Sequence, residues 1–299
     1  MTDAGWQELR FATTPELVEA LENWLFEHGA LAVTLEDAAD EPLLEPGPGE
    51  TPLWQAIELV ALFEQALDLE PLIALLPPHL SGPAIPKPEA VPDRDWERVW
   101  MDEFKPMKLG ERLWVCPSWC EPPEPQAVNI HLDPGLAFGT GTHPTTALCL
   151  THLDACIRPG MTVVDYGCGS GILAIAALKL GARHVLGVDN DPQAIIATDQ
   201  NRERNDLPDG CLEVCLPSDV AAHDLGEGAD VVVANILAGP LEQLSTRLIG
   251  MLRPGGELVL AGLLADQAPA LIRCYAPEVT LSASREQAGW VMLSGVREG

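Results

Sequence analysis

The nine residues Val163-Val164-Asp165-Tyr166-Gly167-Cys168-Gly169-Ser170-Gly171 limit the folds open to this chain more than any other stretch. An apolar run that suits a buried strand reaches an acid, then a turn with glycine at every second position. Ile172, Leu173, Ile175 and Leu178 follow at helical spacing. Strand, glycine turn and helix in that order open a βαβ unit, whose turn lies at the switch point of a parallel sheet. Ligands bind there, and glycine lets the backbone approach them without a Cβ in the way.

The rest of the second half agrees. Strand-like runs at 113–116, 127–132, 162–166, 184–189, 211–216, 230–234 and 257–261 alternate with helical stretches at 171–180, 192–205, 241–252 and 265–276. Such alternation predicts an α/β fold, a parallel sheet with helices on both faces. Runs at 278–282 and 290–294 suit a closing antiparallel hairpin at the sheet edge.

Two cofactor classes use a glycine turn of this kind. A dinucleotide fingerprint is Gly-x-Gly-x-x-Gly, with pyrophosphate on the helix N-terminus. Here the spacing is Gly-x-Gly-x-Gly behind a carboxylate, Asp165. An acid repels pyrophosphate but suits the ammonium and sulfonium of S-adenosylmethionine. Val185-Leu186-Gly187-Val188-Asp189 is a second strand ending in an acid, 18 residues past Gly171. A carboxylate there accepts hydrogen bonds from ribose hydroxyls, so Asp189 is read as the ribose ligand. Asp191 before Pro192 is read as a helix cap.

The strand Asp230–Ala234 ends in Asn235, whose amide oxygen can orient an incoming amine; the plainer alternative is a cap for the next helix. Asn235 is the candidate catalytic residue. The loop from Asp133 to Thr146 carries Gly135, Phe138, Gly139, Thr140 and Gly141 ahead of Pro144, and reads as a lid over the cofactor. Thr146 falls in the first turn of the following helix, and His143 is read as a cap rather than a base.

Length and charge divide the chain. At 299 residues, two domains are expected. Residues 1–92 hold 17 acidic residues against only Arg10 and Lys87, and prolines cluster from Pro77 to Pro92. We therefore expect domains at 1–92 and 105–299, joined by a linker helix over 93–104 with Trp96, Trp100 and Phe104 on one face. The first segment reads as a small α+β unit of the ferredoxin-like kind, with strands at 8–12, 30–35 and 57–63 and helices from Thr14 to Gly29 and from Glu64 to Leu76.

The net charge of −28 disfavours a polynucleotide substrate and favours a basic partner, although plain solubility explains it equally well. The eight cysteines include no Cys-x-x-Cys pair, and no histidine sits at zinc-ligand spacing from the pairs Cys116/Cys120 and Cys211/Cys215, so they read as free thiols and no metal is expected. No run is long and apolar enough for a membrane span and no secretory signal is legible, so a cytoplasmic location is expected, with a monomer favoured.

These segments together resemble the PrmA family of bacterial ribosomal protein methyltransferases, most strongly over residues 133–262 and in the long glycine loop. The resemblance implies a seven-stranded, Rossmann-like class I methyltransferase sheet, with S-adenosylmethionine contacted by Thr146, Gly167, Asp189 and Asn235. Asp165, Gly169, Phe138, Gly139 and Thr140 complete the expected cofactor site. It also implies that residues 1–92 recognise a large-subunit ribosomal protein, methylated on its N-terminal α-amine and on lysines. The alternatives are an adenine-N6 or glutamine-amide methyltransferase and a nicotinamide-dependent oxidoreductase. Ile236-Leu237-Ala238 offers no aromatic ring to stack a base, and the glycine spacing opposes the dinucleotide.

Overall fold

The computed structural model describes residues 5–39, 52–91, 104–133 and 141–299. The expected linker helix over 93–104 lies outside them, apart from Phe104. Two compact units emerge, Met1–Val99 and Trp100–Gly299.

The first unit is built from β1 (Trp6–Thr13), α1 (Pro15–Glu27), β2 (Ala32–Asp37), β3 (Ile57–Glu64), α2 (Glu70–Leu75) and β4 (Glu89–Val91). Its antiparallel sheet has the order β2-β3-β1-β4, the ferredoxin-like arrangement. Alternate residues of β1 and β3 (Leu9, Phe11, Leu59, Ala61 and Phe63) pack with Leu21 and Leu25 of α1 and Leu72 of α2. Burying each such leucine or phenylalanine contributes about 1.5–3 kcal/mol. Helix α2 is shorter than the expected 64–76. Pro71 fixes its first turn, and Asp68 Oδ1 accepts from Glu70 N at 3.1 Å, so Glu64–Leu69 stays outside the helix.

The second unit opens with a small sheet of β5 (Met107–Lys108), β6 (Leu113–Cys116) and β7 (Val128–His131). The main elements follow: α3 (Pro144–Cys156), β8 (Thr162–Tyr166), α4 (Ile172–Lys179), β9 (His184–Val188), α5 (Pro192–Arg204), β10 (Leu212–Cys215), β11 (Ala229–Asn235), α6 (Ala238–Gln243), α7 (Ser245–Met251), β12 (Leu252–Leu264), α8 (Ala268–Tyr275), β13 (Ser282–Gln287) and β14 (Trp290–Val296). Seven strands form one sheet in the order β10-β9-β8-β11-β12-β14-β13. The pairs from β10 to β12 are parallel, and β14 runs antiparallel to both neighbours.

The chain steps outward from β8 to β10, then returns to lay β11 on the other side of β8. The crevice beyond the ends of β8 and β11 is thus the switch point. The central strands β8, β9 and β11 have two buried faces. Val163, Val185, Val231 and Val233 pack with α3 and α4; Val164, Leu186, Val232 and Ala234 pack with α6, α7 and α8.

Two further sequence expectations change in the second unit. The single helix over 241–252 is two, α6 and α7, and Leu252 already belongs to the sheet, paired with Ala229. The strand over 278–282 is displaced to β13, whose residues are all exposed and carry no apolar alternation. Its place is set by the turn. Ala288 and Gly289 have φ of 50° and 79°, the left-handed pair of a tight two-residue hairpin loop that puts Gln287 opposite Trp290.

Candidate active site

At the end of β8, Asp165 is fully buried. Its Oδ2 accepts from Ala174 N at 3.0 Å, in the first turn of α4, while Oδ1 has no partner. Burial pushes this carboxyl from its ordinary value near 3.8 up to about 7, the Ala174 bond opposes the rise and Asp189 adds to it. A buried oxygen with no donor costs free energy, and it is the kind of group a cationic ligand satisfies.

The glycine turn folds back on β9. Gly167 N and Cys168 N both donate to Val188 O, at 2.7 and 3.1 Å. Gly169 N donates to Asp189 Oδ2 at 2.9 Å, and Asp191 N donates to Oδ1 at 3.0 Å. Both Asp189 oxygens are thereby oriented, and a carboxylate with about four acceptor positions keeps capacity for two hydroxyls. Asp191 caps α5 by accepting from Gln193 N at 2.8 Å, as expected.

Asn235 ends β11. Its Nδ2 donates to Thr146 Oγ1 at 3.3 Å, and its buried Oδ1 has no partner. Strand register pairs Val233 with Asp165, so the two unpartnered oxygens belong to the ends of neighbouring strands. Glycine makes room for this segment. A Cβ on Gly167, where φ is +81°, would come within 2.2 Å of Ile236 Cγ2; one on Gly262, where φ is +88°, would come within 2.3 Å of Ile236 O. The residue following Asn235 is thus held between the glycine turn and β12, and Asn235 is presented by a braced loop instead of capping a helix.

His143 caps α3 through Nδ1, which accepts from Thr145 N at 3.3 Å, and its ring meets Trp290 edge-on at 5.1 Å. Burial lowers its pKa. The cap expected from the sequence is the role seen.

The structure therefore brings Asp165, Gly167, Gly169, Asp189, Thr146 and Asn235 together around one crevice. Phe138, Gly139 and Thr140 lie outside the described residues. Sequence reasoning missed the supports. On α5, Thr198 donates to Gly169 O at 3.0 Å and Asn201 Nδ2 to Ser170 O at 2.8 Å. Asn205 embraces the His131 peptide, accepting from its N at 2.8 Å and donating to its O at 2.7 Å. Three buried polar residues at helical spacing were the available signal. For Gly262 it was an isolated glycine inside an apolar strand run, which marks a bulge or a close backbone approach.

The sequence profile of the family described as ribosomal protein L11 methyltransferase (PrmA) matches residues 5–298. The chain belongs to the ribosomal protein L11 methyltransferase family. Two curated proteins with that name are similar over nearly their whole length. The one from Chromohalobacter salexigens is 50% identical, with 97% of this chain and 98% of its own covered. The one from Pseudomonas paraeruginosa is 51% identical, with 98% of each covered. A solved structure described as ribosomal protein L11 methylase from Lactobacillus delbrueckii subsp. bulgaricus aligns with a TM-score of 0.59 at 32% identity, covering 66% of this chain and all of its own. As a member of the L11 methyltransferase family, this chain is a class I methyltransferase that uses S-adenosylmethionine. The crevice suits that donor, offering a turn in which Gly167, Gly169 and Gly171 carry no side chain, an oriented carboxylate and two unmet acceptors. No helix among the described residues is long and apolar enough to cross a membrane.

Proposed function

We propose that this enzyme methylates ribosomal protein L11 on its N-terminal α-amine and on lysine side chains. The observation that carries this reading is the pair of buried, unpartnered oxygens, Asp165 Oδ1 and Asn235 Oδ1, at the ends of adjacent strands. Bound S-adenosylmethionine supplies an electrophilic methyl on a sulfonium. Asp189 holds the ribose hydroxyls, Gly167 and Gly169 give the donor close backbone contact, and Asp165 answers its positive charge. Thr146 holds the Asn235 amide, and Phe138, Gly139 and Thr140 are assigned to the donor site from the sequence alone.

Asn235 Oδ1 is the acceptor that takes a hydrogen of the incoming amine and orients its lone pair. Alignment supplies much of the rate when the methyl is already activated. The amine arrives neutral. An α-amine titrates near ~7.7–8.0 and loses its proton to water readily, while a lysine near ~10.4 depends more on the site. His143 is committed to its cap, so no enzyme base is assigned.

The substrate side rests on the N-terminal unit. The sheet face opposite its helices carries Glu8, Glu36, Glu58, Glu64 and Glu89 around a single Arg10, by strand register. An acidic face attracts a basic ribosomal protein and excludes nucleic acid. Incubating the enzyme with labelled S-adenosylmethionine and unmethylated ribosomal subunits, followed by mass spectrometry, tests the reading. Label on the α-amine and lysines of L11 is expected. Label confined to ribosomal RNA or to another protein would overturn it.

A further inference from the structure

Helix α3 carries the cofactor-side residue Thr146 in its first turn and a different group of side chains in its last. His152 and Cys156, four residues apart, project from one face of the helix toward Glu257 of β12. His152 Nε2 lies 2.9 Å from Glu257 Oε1, and the three candidate ligand atoms, Cys156 Sγ included, all lie within 4.8 Å of one another. All three residues are partly buried, so the cluster is reachable from solvent yet held by two packed elements. At 1.5 Å per residue, Cys156 stands about 15 Å along the helix from Thr146. Glu257 lies toward the opposite end of its strand from Ala261, the partner of Asn235. The cluster is thus separate from the methyl-donor crevice, and the methylation chemistry leaves it unused.

An imidazole, a thiol and a carboxylate form a mixed nitrogen, sulfur and oxygen donor set, which suits zinc better than magnesium or calcium. Tetrahedral zinc with ligands at ~2.0–2.3 Å separates neighbouring donor atoms by about 3.4 Å, so the His–Glu pair at 2.9 Å opens slightly to accept the ion, and the sulfur already lies within 4.8 Å of both. We propose that His152, Cys156 and Glu257 bind one zinc ion, with water in the fourth position, and that the ion ties α3 to β12. Binding displaces the thiol proton to solvent and forms the Zn–S bond, with no change of oxidation state. Without the cation, burial and Glu257 hold the thiol up at about 12, so the sulfur stays protonated. Tying the far end of α3 to the sheet steadies the helix that presents Thr146 to Asn235.

The full chain, stripped with a chelator, is titrated with Co²⁺ and then Zn²⁺. One equivalent of Co²⁺ is expected to give a sulfur-to-cobalt charge-transfer band that Zn²⁺ abolishes. Cys156→Ser should remove that band, and His152→Gln or Glu257→Gln should weaken Zn²⁺ at least tenfold while leaving S-adenosylmethionine affinity within twofold. A second measurement needs no variant: Zn²⁺ should slow alkylation of the Cys156 peptide in the native protein at least tenfold, by mass spectrometry. A band that persists in Cys156→Ser places the ion on other cysteines and overturns the proposal. Unchanged Cys156 alkylation with Zn²⁺ present overturns it as well, leaving the cluster a hydrogen-bonded group.

Discussion

On the open face of the N-terminal sheet, Arg10 sits among Glu8, Glu36 and Glu58 at 2.9, 3.1 and 2.7 Å. At the ends of β8 and β11, Asp165 and Asn235 each leave a buried oxygen with no donor at all. Both regions are polar, yet they treat polarity in opposite ways. The N-terminal face is solvated, its Arg10 is shared by three carboxylates, and exposed pairs of this kind contribute little to stability. In the crevice the two oxygens are buried, so each unmet acceptor there is costly until a ligand satisfies it. Of the four buried side-chain polar atoms without a partner among the described residues, two are in this crevice. The contrast separates two tasks. In the proposed function, exposed charge attracts the protein substrate from a distance, and buried unmet acceptors select the small donor at contact.

If the contrast holds, substitutions in the two regions fail in different ways. The largest effect is expected for Asn235→Ala. Its kcat should fall at least ~100-fold, about 2.7 kcal/mol of transition-state stabilisation, with S-adenosylmethionine affinity much less changed. Single-turnover kinetics and calorimetry measure the two, and an unchanged kcat would remove Asn235 from the reaction. Asp189→Ala comes next, with S-adenosylmethionine affinity at least about tenfold weaker by calorimetry. Equal affinity would end the ribose assignment.

Asp165→Asn tests the cost of the buried carboxyl. Because the folded carboxyl titrates near about 7 and the unfolded one near 3.8, its stability contribution is complete below 3.8 and is lost as pH rises through 7. The asparagine variant lacks that loss. Free of donor, it should melt a few degrees above the native enzyme at pH 8, and the difference should shrink toward pH 4, while it binds S-adenosylmethionine more weakly. A thermal melt at pH 8 that favours the native enzyme would show that the carboxylate already has a counter-charge.

The smallest effect belongs to the other region. Replacing Glu8, Glu36 and Glu58 together by glutamine should raise KM for the protein substrate a few-fold, more at low salt than at high, with kcat unchanged. An equal loss at all salt concentrations would shift recognition from long-range charge to direct contact.

Much of the molecule was legible because its signals are local. The glycine turn, the acid after β9 and the Asn ending β11 are short patterns in which residue type and strand end coincide. Apolar runs marked most strands of the three sheets, except where pairing alone makes the strand. Strand β13 has no buried residue, and only the hairpin turn at Ala288-Gly289 sets its place. The division of 241–252 into two helices was likewise invisible, because the apolar spacing continues across the break at Leu244.

The sequence by itself determined the class of ligand. Glycine spacing and a leading acid are properties of nine consecutive residues, and they distinguish S-adenosylmethionine from a dinucleotide before any packing is considered. Only the tertiary structure decided how that turn is held and what faces it. Thr198 and Asn201 reach the turn from a helix about 30 residues away in the chain, and Ile236 is fitted between Gly167 and Gly262. The reason is physical. Binding a small cation requires acceptors kept unpaired inside a packed interior, and whether a polar atom lacks a partner depends on every element that closes around it.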